Sequence, residues 1–199
     1  MKEISWRVIL TLIVLAMMYD AAKGGPADFY VILPHLQLNE WAAVIPSPSE
    51  LENAEQRLEE AYNLYPANPS LSEDLARLHF MKAKNSVSIS QSEKQAELHE
   101  ALSKIRESIG LRRVSPQSWA LLVCIKQHLG EYDTEFGKAI EHAVFQGPWE
   151  PYVQFVVADA GLDGWQFLSD SQRTLVLQDI TRGNQYQADN MLKIQLKVR

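Results

Sequence analysis

Three prolines divide most of this chain into units, and their spacing constrains the fold more than any other feature. Pro69 stands eight residues after Ala61, Pro116 eight after Ser108 and Pro151 eight after Ala143. Each small residue closes the same pattern: Ala54-x-x-x-Leu58-x-x-Ala61, Ala101-x-x-x-Ile105-x-x-Ser108 and Phe136-x-x-x-Ile140-x-x-Ala143. Intervals of four and three put these residues on one stripe of an α-helix. An apolar residue follows each proline by six positions, Leu75, Leu122 and Val157. The next helix therefore opens at the proline, where the missing N–H has no intrahelical partner to lose. No segment alternates apolar and polar residues between turn signals, so the expected fold is all-α.

Helical spacing recurs in five segments: Leu51 to Tyr65, Leu71 to Leu78, Leu98 to Ile109, Trp119 to Val123 and Phe136 to Val144. Ser49 with Glu52 reads as a capping box for the first, and Ser169 with Gln172 as another for a helix that runs to Arg182 and ends at Gly183. A last helix from Gln185 to Lys197 is expected to cap the stack. The proline-to-proline periods are 47 and 35 residues, the first being longer because Ser86 to Glu93 insert a polar, Ser-rich stretch between two helices. A period near 34 with a small residue in the second helix and a closing proline resembles the tetratricopeptide repeat. Pro116-Gln-Ser-Trp119-x-x-Leu122 followed by Gly130-Glu-Tyr132 carries that resemblance best. It implies a solenoid of stacked helix pairs, in which the small residues allow close helix crossings.

The N-terminus is the most apolar part of the chain. Val8 to Tyr19 is an unbroken run of 12 residues, flanked by Trp6, Arg7, Lys2, Glu3, Asp20 and Lys23. It falls short of the roughly 20 residues that cross a hydrocarbon core. With Arg7 snorkelling and Trp6 and Tyr19 at the interfaces, it reads as a short signal anchor. Lys2 and Arg7 on the inside then put the remainder outside the cytoplasm, as a single-pass protein of a bacterial inner membrane with a periplasmic domain. A cleaved signal peptide with a weak site at Ala21-Ala22, giving a soluble periplasmic binding module, is the alternative. Gly24-Gly25-Pro26 is expected to break any helix leaving the membrane, Phe29 to Ile32 to be extended, and the connection to end at Pro46-Ser-Pro48. The expected organisation is an anchor over 1–23, a linker over 24–48 and a helical domain over 49–199.

Nineteen basic against 25 acidic residues leave a net charge of −6, which argues against nucleic-acid binding. The histidines His35, His79, His99, His128 and His142 include no zinc-type pair, and no phosphate loop, dinucleotide fingerprint or nucleophile elbow occurs. No metal or cofactor is expected. Cys124, the single cysteine, lies in an apolar run and reads as an inert thiol. Paired carboxylates occur at Glu59-Glu60 and at Asp159 with Asp163. They sustain a rival reading, an extracytoplasmic glycan-modifying enzyme, though the chain is read first as non-catalytic. Register from the prolines places Glu73, Arg77, Gln117, Gln127 and His128 along the concave face of the first helices, where a solenoid binds peptide or protein segments. Trp149, between Pro148 and Pro151, reads as a packing wedge between repeats.

Ala27-Asp28-Phe29-Tyr30, the Leu58-Glu-Glu-Ala61 unit ending at Asn68-Pro69, and above all Gly147-Pro148-Trp149-Glu150-Pro151 with downstream Ala158, Gly161, Leu162, Trp165 and Arg173 resemble the VpsP family of polysaccharide biosynthesis proteins. The resemblance runs over nearly the whole chain. It implies a small membrane-anchored scaffold or accessory protein of exopolysaccharide synthesis and export in Gram-negative bacteria. Its partners would be membrane proteins of polymerisation or export, reached through the solenoid, and it brings no catalytic residues with it.

Overall fold

The computed structural model describes residues 6–41, 45–85 and 90–197, and every regular element among them is helical. The helices are α1 (Trp6–Glu40), α2 (Pro48–Leu64), α3 (Pro69–Asn85), α4 (Gln91–Leu111), α5 (Pro116–Leu129), α6 (Thr134–Gln146), α7 (Pro151–Asp163), α8 (Asp170–Tyr186) and α9 (Ala188–Lys197). One 3-10 turn, Trp165–Phe167, joins α7 to α8. Pro69, Pro116 and Pro151 each open a helix, as their spacing predicts. Lys2, Glu3, Val44 and residues 86–89 of the Ser-rich stretch lie outside the described residues, as do the side chains of Arg7, Asp20, Lys23 and the Ala27 to Tyr30 segment.

The helices pair as antiparallel hairpins, α3 with α4, α5 with α6 and α7 with α8. Ser108 near the end of α4 donates to the Pro69 carbonyl at 2.8 Å, while His79 late in α3 meets Glu97 early in α4 at 2.7 Å. Gln146 at the end of α6 accepts the Ser115 amide at 2.9 Å, and Gln187 after α8 donates to the Pro151 carbonyl at 2.9 Å. The first helices of these hairpins run parallel. Glu73 meets Ser118 at the starts of α3 and α5, Phe80 meets His128 toward their ends, and Gln127 of α5 meets Asp159 of α7. All three prolines therefore lie at one end of the stack. α1 follows the same direction as α3, because its His35 meets Asp74 and its Leu38 carbonyl meets Arg77.

Ala61, Ser108 and Ala143 are fully buried, as close crossings demand. The apolar interior has two parts. Leu38, Trp41, Leu51, Ala54, Leu58, Ala61, Leu71, Leu75 and Leu78 join α1, α2 and α3. A larger cluster runs from Ala76 of α3 through α4–α8 to Met191 and Ile194 of α9.

Several expectations need correcting. α2 is capped by Ser47 and Glu50, not Ser49 and Glu52. The same Ser-x-x-Glu pattern occurs twice, and the earlier copy wins because Pro48 takes the first helical position. α3 and α4 run 17 and 21 residues where α5 and α6 run 14 and 13, so the longer first period is mostly helix, and Ser90 with Glu93 forms the capping box of α4. α8 continues past Gly183 to Tyr186, because Gly183 packs against Met191 and does not turn the chain.

The largest difference concerns α1, which continues as helix through Gly24-Gly25-Pro26 and Phe29 to Ile32 as far as Glu40. The glycines and proline sit between Ala21-Ala22 and Ala27, strong helix formers, and the later turns dock through buried Pro34, Leu38 and Trp41. No helix among the described residues is long and apolar enough to cross a membrane. The unbroken apolar run of α1 is 12 residues, well under the span of a hydrocarbon core. This finding overturns the expected single-pass inner-membrane anchor and, with it, the periplasmic placement that followed from it.

Candidate functional site

The parallel first helices present matching rows to one face. Counting from each opening proline, the fourth residue is Glu73, Ala120 or Phe155, the eighth is Arg77, Cys124 or Asp159, and the twelfth is Met81, His128 or Asp163. The α5 and α7 members of these rows, Cys124, His128, Phe155, Asp159 and Asp163, bound a cleft of about 360 Å³ that is also lined by Lys84 of α3, Gln127 and Val156. It unites Gln127 and His128, expected in a groove, with the carboxylates of the rival enzymatic reading. Phe155 and Asp159 extend the groove onto α7, and the proline register that singles out Glu73 and Arg77 finds both when it is applied to Pro151.

Gln127 organises the cleft. Its Nε2 donates to Asp159 Oδ2 at 2.9 Å and to Asp163 Oδ2 at 2.6 Å. The two carboxylates stand one turn apart on the same helix face and converge on one amide from the same side. A glycoside-hydrolysing pair faces its bond from opposite sides, whereas these two carboxylates both accept from Gln127. His128 Nδ1 donates to the Cys124 carbonyl at 2.9 Å, which makes Nδ1 the protonated nitrogen. The Cys124 thiol, 4.0 Å from that nitrogen, thus faces a donor and not a base. Tyr152 reaches toward Cys124, Arg77 and Glu73 from the start of α7, and desolvation, then the nearby thiol, pushes its phenol above the ordinary range.

The other expected groove residues have different fates. Glu73 accepts from Ser118 Oγ at 2.6 Å and from Arg112 Nη2 at 2.8 Å, tying α3 to α5 and to the α4–α5 turn. Arg77 donates through Nη2 to the Leu38 carbonyl at 3.1 Å and to Asn39 Oδ1 at 2.9 Å. It serves the C-terminal turn of α1, whose carbonyls lack intrahelical donors. Neither lines the cleft. Gln117 stands exposed on the first turn of α5, and Glu59 and Glu60 are exposed on α2.

The segment carrying the family resemblance is structural in part. Gly147 lies where a Cβ would come 2.5 Å from Pro116 Cβ, and the Pro148 carbonyl accepts from Gln154. Glu150 occupies the N-cap of α7 and makes no side-chain cap bond, while Pro151 is its first residue. Arg173 donates to the Trp165 carbonyl at 3.1 Å and lies over the Trp165 ring, fastening the α7–α8 turn. Trp149 departs from expectation: it is 62% exposed, edge-on to Tyr186, with Arg182 over its ring. It is not a wedge, because Gly147 brings the helices together without it.

Charged groups are also buried outside the cleft. Fully buried Lys126 is bound by Glu131, Asp133 and Glu135 at 2.9, 2.9 and 3.0 Å. Burial opposes its charge, but the three carboxylates more than offset this and hold its pKa above the ordinary value. Asp179 of α8 is fully buried with only Arg182 at Oδ1, 3.1 Å away, and Oδ2 has no hydrogen-bond partner. Burial raises this carboxyl to about 6. No group of His, Cys, Asp and Glu among the described residues is arranged to hold a metal ion.

No family model, curated protein or solved structure matches the chain.

Proposed function

We propose that this chain is a tetratricopeptide-like scaffold that receives an extended segment of a partner protein in the groove of its first helices. The observation that carries this reading is the parallel alignment of α3, α5 and α7, each opened by a proline, with equivalent positions of α5 and α7, Cys124 with Asp159 and His128 with Asp163, lining one cleft that Lys84 of α3 closes. A stack of helix pairs builds an extended concave surface of this kind for recognition. The cleft offers mixed chemistry suited to a peptide: the ring of Phe155 for an apolar side chain, and Gln127, Asp159 and Asp163 for polar groups. By its resemblance in Gly147 to Pro151, Trp165 and Arg173, we further propose that the scaffold is an accessory protein of exopolysaccharide synthesis or export.

A photo-crosslinking amino acid at Phe155, compared with one at exposed Glu59 on α2, tests both parts in cells that make the polymer. The expected result is a crosslink from the groove position to a polymerisation or export protein, with loss of polymer when the gene is deleted. Crosslinks of equal yield from both positions would sink the groove reading. Unchanged polymer after deletion would sink the pathway assignment. The glycan-modifying alternative predicts that Asp159→Asn with Asp163→Asn abolishes polymer processing while the crosslink survives; the scaffold predicts that crosslink and polymer fall together.

A further inference from the structure

α1 is longer than its place in the stack requires. His35 meets Asp74 and the Leu38 carbonyl meets Arg77, both across 39 positions, so each residue of α1 lies about level with the residue of α3 that stands 39 places on. By that offset Pro69, the first residue of α3, is level with position 30 of α1. Residues 6–29 therefore extend beyond the proline end of the stack, for about 36 Å at 1.5 Å per residue.

This overhang is apolar on opposite sides. Leu10, Ile13, Val14 and Met17 share one face of the helix, each between 46% and 69% exposed. Val8, Leu12, Leu15 and Tyr19 share the opposite face and are exposed as well. A helix that is hydrophobic all round is normally buried. The unbroken run of 12 residues is too short to cross a hydrocarbon core, so its cover is of another kind.

The run matches itself when reversed. Its midpoint falls between Ile13 and Val14, and a second copy turned end for end about that point sets Leu10 level with the copy's Met17 and Ile13 level with its Val14. The same register sets Arg7 level with Asp20, a basic position level with an acidic one at both ends of the run. A parallel pair would instead set Arg7 level with Arg7 and Asp20 with Asp20, like charges beside an apolar seam. There is room for the antiparallel pair. Its overlap ends at position 21 of each copy, and the proline ends of the two stacks then face each other about 50 Å apart.

We infer that the overhang of α1 is a self-association element, which takes the α1 of a second copy of this chain antiparallel, with Leu10, Ile13, Val14 and Met17 in the seam. The interface is isologous, each copy giving the same surface and receiving it. A seam of a few helical turns is small beside the roughly 800 Å² per partner of a standard interface, so the pair is expected to form at micromolar chain concentration. The opposite face is symmetric about the same midpoint, Leu12 level with Leu15 and Val8 with Tyr19, and through it two pairs join back to back as four chains.

Sedimentation equilibrium of the full chain without detergent, at about 1 to 100 μM, tests the association. The expected result is a mass of two or four 22.6 kDa chains that falls toward one on dilution. Ile13→Glu with Val14→Glu should weaken it more than about tenfold at unchanged helix content. Orientation is read by oxidising an equal mixture of Leu10→Cys chains and Met17→Cys chains, both also carrying Cys124→Ser. Disulfides joining position 10 to position 17 are expected to predominate. Disulfides joining like positions would overturn the antiparallel register. A single-chain mass at the highest concentration would overturn the inference, as would association without a defined mass. So would uptake of the chain by phosphatidylcholine vesicles with loss of the crosslink, since lipid would then be the cover.

Discussion

Gly147 and Pro116 touch so closely that a Cβ added to the glycine would stand 2.5 Å from Pro116 Cβ. This contact sets the separation of the α6–α7 turn from the start of α5. The pyrrolidine ring is fixed and cannot swing aside, so Gly147→Ala is expected to cost about 1–3 kcal/mol. Gly183 presents the same 2.5 Å approach to Met191 Cε, the far end of a flexible side chain. Gly183→Ala should therefore cost less than half as much. Denaturant titration of the two variants checks the order, and a larger loss for Gly183→Ala would refute it.

Lys126→Met should destabilise the chain by about 1–2 kcal/mol near neutral pH, reduced from the fully buried case because its three carboxylates are a third to a half exposed. Asp133 feels burial, but the bonds from Lys126 and neighbouring amides more than offset it and lower its pKa; Glu135 is lowered first by Arg106 and then by Lys126. Carboxylates with a lowered folded pKa stabilise the fold above their ordinary value, and that stability is lost as pH falls through the folded pKa. The gap between wild type and Lys126→Met should thus be full at about pH 7 and shrink below about pH 4. A gap independent of pH would mean that Lys126 acts by packing alone.

Asp179 behaves in the opposite sense. Its folded carboxyl is raised to about 6 by burial, so the folded state binds more protons than the unfolded state between roughly pH 4 and that value. Stability contributed by this residue falls as pH rises through that window. Asp179→Asn keeps an acceptor for Arg182 and removes the buried charge, and is expected to stabilise the chain by up to about 3 kcal/mol at pH 8. The advantage should disappear by about pH 4, where both versions are neutral. Thermal melts across this range decide the matter.

Arg77→Ala removes the donor to the Leu38 carbonyl and the Asn39 side chain. Limited proteolysis should then cut near residues 33–41 at least about tenfold faster, with the α5–α8 region unaffected. Equal cutting would show that Leu38 and Trp41 hold α1 without it.

The repeat was legible because it rests on residue types with few roles. A proline can open a helix, and a small residue can sit at a close crossing, so Pro116 with Ser108 and Pro151 with Ala143 announce themselves. What pairs with a polar side chain is a matter of tertiary approach. Nothing local reveals that Ser108 bonds the Pro69 carbonyl, or that Arg77 is taken by the end of α1 and not by a ligand. Asp159 and Phe155 were within reach of the proline register, which applies to α7 as it does to α3. Lys126 was hidden for the opposite reason: the apolar run before it gives no sign that the lysine is buried against acids of the following turn and the start of the next helix. Gly24-Gly25-Pro26 misled because local breaking signals weigh less than the alanines and the docked turns around them.

The two-part interior makes α3 the shared wall of the molecule: Leu71, Leu75 and Leu78 face the smaller cluster while Ala76 belongs to the larger. Such a wall lets one side melt while the other stays folded. The α1–α2 hairpin is therefore expected to open ahead of α4–α9, at the cost of the Tyr62–Glu107 bond that ties α2 to α4. Because the groove is walled by α5 and α7, it survives this opening, and only the edge built by α3 is exposed to it.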